Sequence, residues 1–205
     1  MRSLDADVVG VQEVDRGTIR SGGVDQAAVL AAGTGLDVRF AAAIDHDGGE
    51  YGVALCVRGS IVDSEVLRLP GSGEGRVALI ADVAPECTAQ RWTVACTHLS
   101  TDGRDALAQL DVVLAALEGA AGAGPAALVG DLNLGPEQVL AVLARRGWAD
   151  ATTGPTHPAR RPRRRIDWIA VRGAEVVSAV VPAFEVSDHR PVVAVVDAGS
   201  VRSLP

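Results

Sequence analysis

The sequence predicts a single α/β domain, and three observations carry that expectation. Strand-type runs at 36–44, 51–57, 61–69 and 76–83 follow one another with only Gly, Asp and Pro punctuation between them, which reads as an antiparallel meander. Helical patterns cover 104–117 and 136–146, with a strand pattern at 126–132 between them. The chain has 205 residues and is 48% apolar, which suits one large core better than two small ones. The domain is expected over 1–198, with a frayed tail over 199–205.

Residues 1–7 read as the end of a helix passing straight into a strand. Residues 8–14 are almost continuously apolar, the pattern of a strand buried on both faces, with Gln12 and Glu13 near its end. A carboxylate inside such a strand is costly unless it is paired or holds a metal. An equal reading is that Glu13 emerges where the strand ends. A Gly-rich loop with Arg16 and Arg20 covers 16–23, and 24–32 looks helical and capped by Gly33. After the meander, the strand 90–99 ends in Thr97-His98-Leu99. The helix 104–117 and a small-residue loop at 119–124 lead into 126–132.

That strand ends in Gly130-Asp131-Leu132-Asn133. Gly130 is expected to let the backbone turn. Asp131 and Asn133 face the same side if strand geometry persists. A plainer reading is an Asx-type turn before the next helix, which has Pro136 in its first turn. Residues 152–162 are Pro- and Thr-rich and read as a loop. The strand 165–171 carries Asp167 between Ile166 and Trp168, a second carboxylate in an apolar strand. A strand at 176–181 follows, and Ser187-Asp188-His189 opens a last one over 189–196.

The net charge of −7 weighs against a general polyanion binder. All 19 basic residues are arginine, and residues 160–165 read Arg-Arg-Pro-Arg-Arg-Arg. Arg164 and Arg165, just before Asp167, are candidates for gripping a substrate phosphate; a solvated loop is the alternative. Cys56, Cys87 and Cys96 are odd in number and form no Cys-x-x-Cys, which argues against a disulfide framework or a zinc site. No apolar run is long enough to span a membrane and no secretory h-region is present, so a cytoplasmic, monomeric protein is expected.

Glu13, His98, Asp131, Asn133, Asp167, Asp188 and His189 each lie in or at the end of an expected strand. Carboxylates gathered without a cation repel one another and rise in pKa. Oxygen ligands in that number suit Mg²⁺ or Mn²⁺ better than zinc. Two histidines with carboxylates nearby can activate water and stabilise developing charge, the equipment for phosphoester hydrolysis.

The ordered motifs Val-Gln-Glu-Val-Asp, Thr-His-Leu, Gly-Asp-Leu-Asn, Arg-Ile-Asp-Trp-Ile and Ser-Asp-His-Arg-Pro-Val, spread over 11–193, resemble the endonuclease/exonuclease/phosphatase family. Softer matches are Arg20 to Gln26, Arg104 with Gln109, and Pro-Thr-His-Pro at 155–158. The resemblance implies a four-layer α/β sandwich, two packed mixed or antiparallel sheets flanked by helices, with the active site at one end. It implies that Glu13 binds Mg²⁺ (or Mn²⁺) with Asp188 near the metal. Asp131 would position the attacking water or assist the leaving group, and Asn133 would hold a phosphate oxygen. His98 would hydrogen-bond the phosphate. Asp167 would orient His189, itself a general base or a transition-state stabiliser.

Three departures stand out. The family's first strand, carrying an Asn beside the metal, and the helix after it would precede Ala6, so the domain is expected to be N-terminally incomplete. Val53 stands where many relatives have Asn, leaving Glu50 as a potential partner for His98. His157 replaces a common aromatic residue. The expected substrate is a small or lipid-derived phosphoester, hydrolysed by in-line attack of water. The alternatives are a nuclease acting on DNA or RNA, and an impaired family member serving as a binding module.

Overall fold

The structure is a computed structural model and describes residues 4–199. Most of the expected tail and residues 1–3 of the expected helix end lie outside the described residues. In chain order the elements are β1 (Val8–Arg16), α1 (Gln26–Thr34), β2 (Asp37–His46), β3 (Gly49–Val57), β4 (Gly59–Leu69), β5 (Arg76–Pro85) and β6 (Trp92–His98). They continue with α2 (Gly103–Ala121), β7 (Ala126–Asp131), α3 (Pro136–Arg146), β8 (Ala149–Asp150), β9 (Asp167–Arg172), β10 (Glu175–Val180) and β11 (Val193–Asp197).

The expected meander is divided between two sheets. β2 and β3 pair as a hairpin and join β1 in a three-stranded sheet of order β1-β3-β2. β4 and β5 pair as the next hairpin and begin a six-stranded sheet of order β4-β5-β6-β7-β9-β8. The chain crosses between the sheets at Arg58. There Gly59 has φ +136°, and a Cβ on it would lie 2.2 Å from the Ala84 carbonyl oxygen. Spacing along the chain cannot distinguish four strands in one sheet from two hairpins in two. β10 and β11 form a separate antiparallel pair.

Apolar faces fix the layers. Leu55, Val57, Leu79, Val83, Val94 and Cys96 belong to a core between the two larger sheets, and Val176 of β10 and Val196 of β11 pack against it. Leu110, Leu114 and Leu117 of α2 and Val139 and Leu143 of α3 pack with Leu128 and Trp168 on the outer face of the six-stranded sheet. α1 covers the outer face of the three-stranded sheet through Ala27, against Val14 and Ala54. The order helix, sheet, sheet, helices is the four-layer sandwich. The sheets approach closely at Gly10, where a Cβ would lie 2.5 Å from Val129 Cγ2.

Several expectations need correction. β1 is an edge strand bonded only to β3, and of its residues only Val14 and Asp15 are fully buried. α1 runs past Gly33 and is closed by Gly35, whose φ of 76° is left-handed and whose N–H reaches Ala31 O. β11 begins at Val193 because the backbone before it is taken by another loop: Ala159 N–H donates to Asp188 O and Arg190 N–H to Thr156 O. The two-residue β8 is too short to leave a periodic signal. Among the described residues no helix is long and apolar enough to cross a membrane.

Candidate active site

Strand register assembles the centre of the site. β6 and β7 run parallel with His98 opposite Asp131, and β7 and β9 run antiparallel with Asp131 opposite Asp167. Three polar residues from three strands thus form one row at one end of the six-stranded sheet, and residues directly opposite share a face. Gly130 makes the row possible, although not by turning. Its φ is +152°, and a Cβ there would meet Thr97 O at 2.0 Å, so only glycine allows β7 to lie this close to β6.

The turn comes after Asp131. Asn133 has φ +52°, and its N–H donates to Asp131 Oδ1 at 2.8 Å, an Asx turn. The amide is therefore not a strand residue facing beside Asp131. Its Nδ2 donates to Leu99 O at 3.0 Å and ties the loop after β7 to the loop after β6. Behind that loop, buried Gln109 accepts from Ser100 N–H at 2.8 Å and donates to Pro70 O at 2.7 Å, which fixes the backbone next to His98.

His189 arrives on the loop before β11. Its Nδ1 lies 2.8 Å from Asp167 Oδ2, and its Nε2 lies 3.9 Å from Asp131 Oδ2. Since Asp167 accepts a hydrogen bond from Nδ1, the ring presents Nε2 to the site. His98 Nε2 lies 3.7 Å from the same Asp131 oxygen, too far for a hydrogen bond. It is not an ion pair either. Burial, helped by the charges of Arg76 and His189, pushes His98 down to about 4, so its ring is neutral near pH 7. Its Nδ1 is buried with no hydrogen-bond partner.

Asp131 is 6% exposed and is pushed up to about 6, first by burial, then by the charge of Asp167, with Glu13 adding to the repulsion. The hydrogen bond to Asp167 raises His189 above its ordinary value against the opposing effect of burial, and the charges of Asp131 and Asp188 act in the same direction. The result is a neutral imidazole, a carboxylate that titrates near neutrality and an imidazole biased towards the cation.

Glu13 sits on a β-bulge. The register of β1 slips between Val11 and Val14, and Glu13 takes φ +58°. The bulge lets Val11 and Val14, three apart, both pack beneath α1, and it leaves Glu13 outside the ladder and exposed. The residues that follow clamp this strand end. Arg20 holds buried Asp15 with two hydrogen bonds of 2.8 and 2.7 Å, and Gln26 Oε1 accepts from Asp15 N–H at 2.8 Å. Glu50 hydrogen-bonds Arg16 at 2.6 Å rather than pairing with His98.

Donor oxygen or nitrogen atoms of Asp131, Asp167 and His189 all lie within 4.8 Å of one another. Among the described residues no such group of three includes Glu13. The donor chemistry nevertheless fits a hard divalent cation. The carboxylates of Asp167 and Glu13 both raise Asp131, an excess of negative charge that a cation would relieve.

The arginines divide. Arg165 does not offer a free guanidinium: just before β9, it is ion-paired with Asp150 of β8 and stacks 3.9 Å from the ring centre of Trp168 in β9, a structural role. Arg164 is exposed, and its carbonyl receives the N–H groups of Thr156 and His157. Arg76, read from the sequence only as the first residue of a strand, is a cation acting on His98. Its side chain is 10% exposed, its Nε has no partner, and NH2 lies 3.2 Å from Glu74. A charged residue at a strand start is common, and no local signal marks it. Ser187 to Arg190 fold beside Pro158 to Arg161, forming an open cleft of about 970 Å³ lined by Arg160, Arg161, Glu185 and Asp188 among others.

A two-sheet α/β sandwich here carries a row of imidazoles and carboxylates at its strand ends, groups suited to acid–base and charge-stabilising chemistry. The chain is a member of the Endonuclease/Exonuclease/phosphatase family, whose sequence model matches residues 1–189. Membership supports a phosphoric ester hydrolase. Among solved structures it is similar to the endonuclease/exonuclease/phosphatase from Beutenbergia cavernae, at 27% identity and TM-score 0.79, covering 97% of this chain and 64% of that one. It is also similar to the endonuclease/exonuclease/phosphatase from Bacteroides vulgatus, at 21% identity and TM-score 0.80, covering 96% and 86%. A third similar structure is the mannosyl-6-phosphatase of Bacteroides thetaiotaomicron, at 18% identity and TM-score 0.78, covering 95% and 86%. A search of curated protein sequences finds no match to this chain.

Proposed function

We propose that the chain hydrolyses a small or lipid-derived phosphoester by in-line attack of water, with a divalent cation, Mg²⁺ or Mn²⁺, held by Glu13 and Asp188. The observation that carries this reading is the row His98, Asp131, Asp167 with His189 locked onto Asp167. The cation supplies charge neutralisation for the phosphate oxygens.

The protein's own groups divide the remaining work. Asp131, raised to about 6, accepts the proton of the attacking water, a task suited to a base that titrates near the working pH. His189, biased towards the imidazolium by Asp167, donates from Nε2 to a phosphate oxygen as charge builds. Neutral His98 donates a further hydrogen bond. Asn133 keeps one N–H free for the phosphate after bonding Leu99 O. The exposed Arg160, Arg161 and Arg164 lie along the adjoining loop and suit an anionic head group. The net charge of −7 favours a small substrate over a nucleic acid. The similar fold of the Bacteroides thetaiotaomicron mannosyl-6-phosphatase is compatible with a small phosphoester.

The test is Mg²⁺-dependent release of phosphate or alcohol from generic phosphomonoesters and phosphodiesters. His189→Ala is expected to lower turnover by roughly 10²-fold or more while the protein stays folded. Equal turnover in the variant would remove His189 from the site.

A further inference from the structure

His157 has no part in the hydrolysis described above, yet the fold holds it against the site. Its N–H donates to Arg164 O at 3.0 Å, and its carbonyl accepts from Arg163 and Arg164 N–H, both at 2.9 Å. Its ring packs on His189, with centroids 4.6 Å apart and planes at 48°. Its Nδ1 is buried without a hydrogen-bond partner. The same loop holds Asp188, whose carbonyl accepts Ala159 N–H at 2.7 Å. One donor atom from each of His157, Asp188 and His189 lies within 4.8 Å of the others.

Two imidazoles and a carboxylate are a poor set for Mg²⁺, which prefers oxygen ligands in an octahedron. They suit Zn²⁺ and its neighbours Co²⁺ and Cu²⁺. Tetrahedral Zn²⁺ places its donors about 3.3 Å apart, so the group has to contract by at most roughly 1.5 Å. Asp188 is exposed and can supply that movement. The partner a zinc-bound histidine needs is already present, because Asp167 Oδ2 holds His189 Nδ1 at 2.8 Å and leaves Nε2 as the donor.

We propose that His157, Asp188 and His189 form a site for a Zn²⁺-type cation, and that its occupation silences the enzyme by taking the Nε2 of His189 and by drawing Asp188 away from the Mg²⁺ or Mn²⁺ ion. The inhibitory consequence rests on the hydrolase reading, whereas the binding site does not.

The experiment uses tag-free full chain titrated with Co²⁺ as a visible-absorption probe. The wild type is expected to show the intense bands of four-coordinate, nitrogen-ligated Co²⁺, which Zn²⁺ displaces. His157→Phe and His157→Gln are each expected to weaken Co²⁺ binding by roughly tenfold or more with an unchanged melting temperature, since even outer-shell partners cost that much. The Zn²⁺ concentration that halves Mg²⁺-supported turnover, measured against each variant's own rate, should rise by the same factor. Equal Co²⁺ affinity in either folded variant, or a wild type without the intense bands, overturns the site. Absent hydrolysis with His157-dependent Co²⁺ binding would defeat the hydrolase reading and leave the site standing.

Discussion

Asp131 is held in a state that costs stability. Its neutral form is favoured in the folded protein, so what it contributes is full below its ordinary value of 3.8 and is lost as pH rises through about 6. The difference corresponds to at most about 3 kcal/mol. Asp131→Asn keeps the acceptor for Asn133 N–H and removes the charge. In the presence of a chelator it is therefore expected to raise stability by on the order of 1–3 kcal/mol at pH 7.5, with the gain vanishing near pH 4. Urea unfolding at both pH values reads this directly, and a variant less stable than the wild type at pH 7.5 would show that the carboxylate is not strained. His189 responds in the opposite sense to its partner. Asp167→Asn removes the main cause of its raised pKa and leaves burial, which lowers it. An NMR titration of the ring is expected to place His189 lower in the variant; an unmoved midpoint would detach it from Asp167.

Strands place these residues because of a few close approaches. β7 reaches its register with β6 only through Gly130, whose φ of +152° and contact with Thr97 O exclude a side chain. Gly130→Ala is expected to destabilise by about 3 kcal/mol or more, through strain and a backbone clash, and to lower turnover as His98 and Asp131 shift apart. A near-neutral effect in thermal unfolding would mean that β6 and β7 separate easily. The bulge in β1 acts similarly on Glu13. A regular strand could not put both Val11 and Val14 under α1, and Glu13 would then fall within the ladder.

The layers join in one protein the groups proposed to hold a cation and the groups proposed to hold the phosphate. Glu13 comes from the three-stranded sheet, whereas His98, Asp131 and Asp167 come from the six-stranded one. A cation bound between them is expected to stabilise the folded chain, by about 2.7 kcal/mol at 100 times its dissociation constant. Thermal unfolding should therefore rise with Mg²⁺, and Glu13→Gln should lose most of that rise. An equal rise in the variant would remove Glu13 from the metal.

Much of this was legible because local chemistry repeats along the chain. Strands 51–57, 76–83 and 126–132 and the helix 136–146 declared themselves by apolar period and by Pro and Gly punctuation. Asp167 stood out because a carboxylate among Ile166, Trp168 and Ile169 demands a partner. What could not be read were relations between distant segments. The division of the meander, the in-register row of His98, Asp131 and Asp167, and the approach of Arg76 to His98 depend on which strands bond and in what register. Arg165 shows the same limit: its charge was plain, but its commitment to Asp150 and Trp168 was not. Composition and spacing set which elements form and which residues are chemically unusual. Long-range pairing, which minimises the free energy of the whole chain at once, set their neighbours.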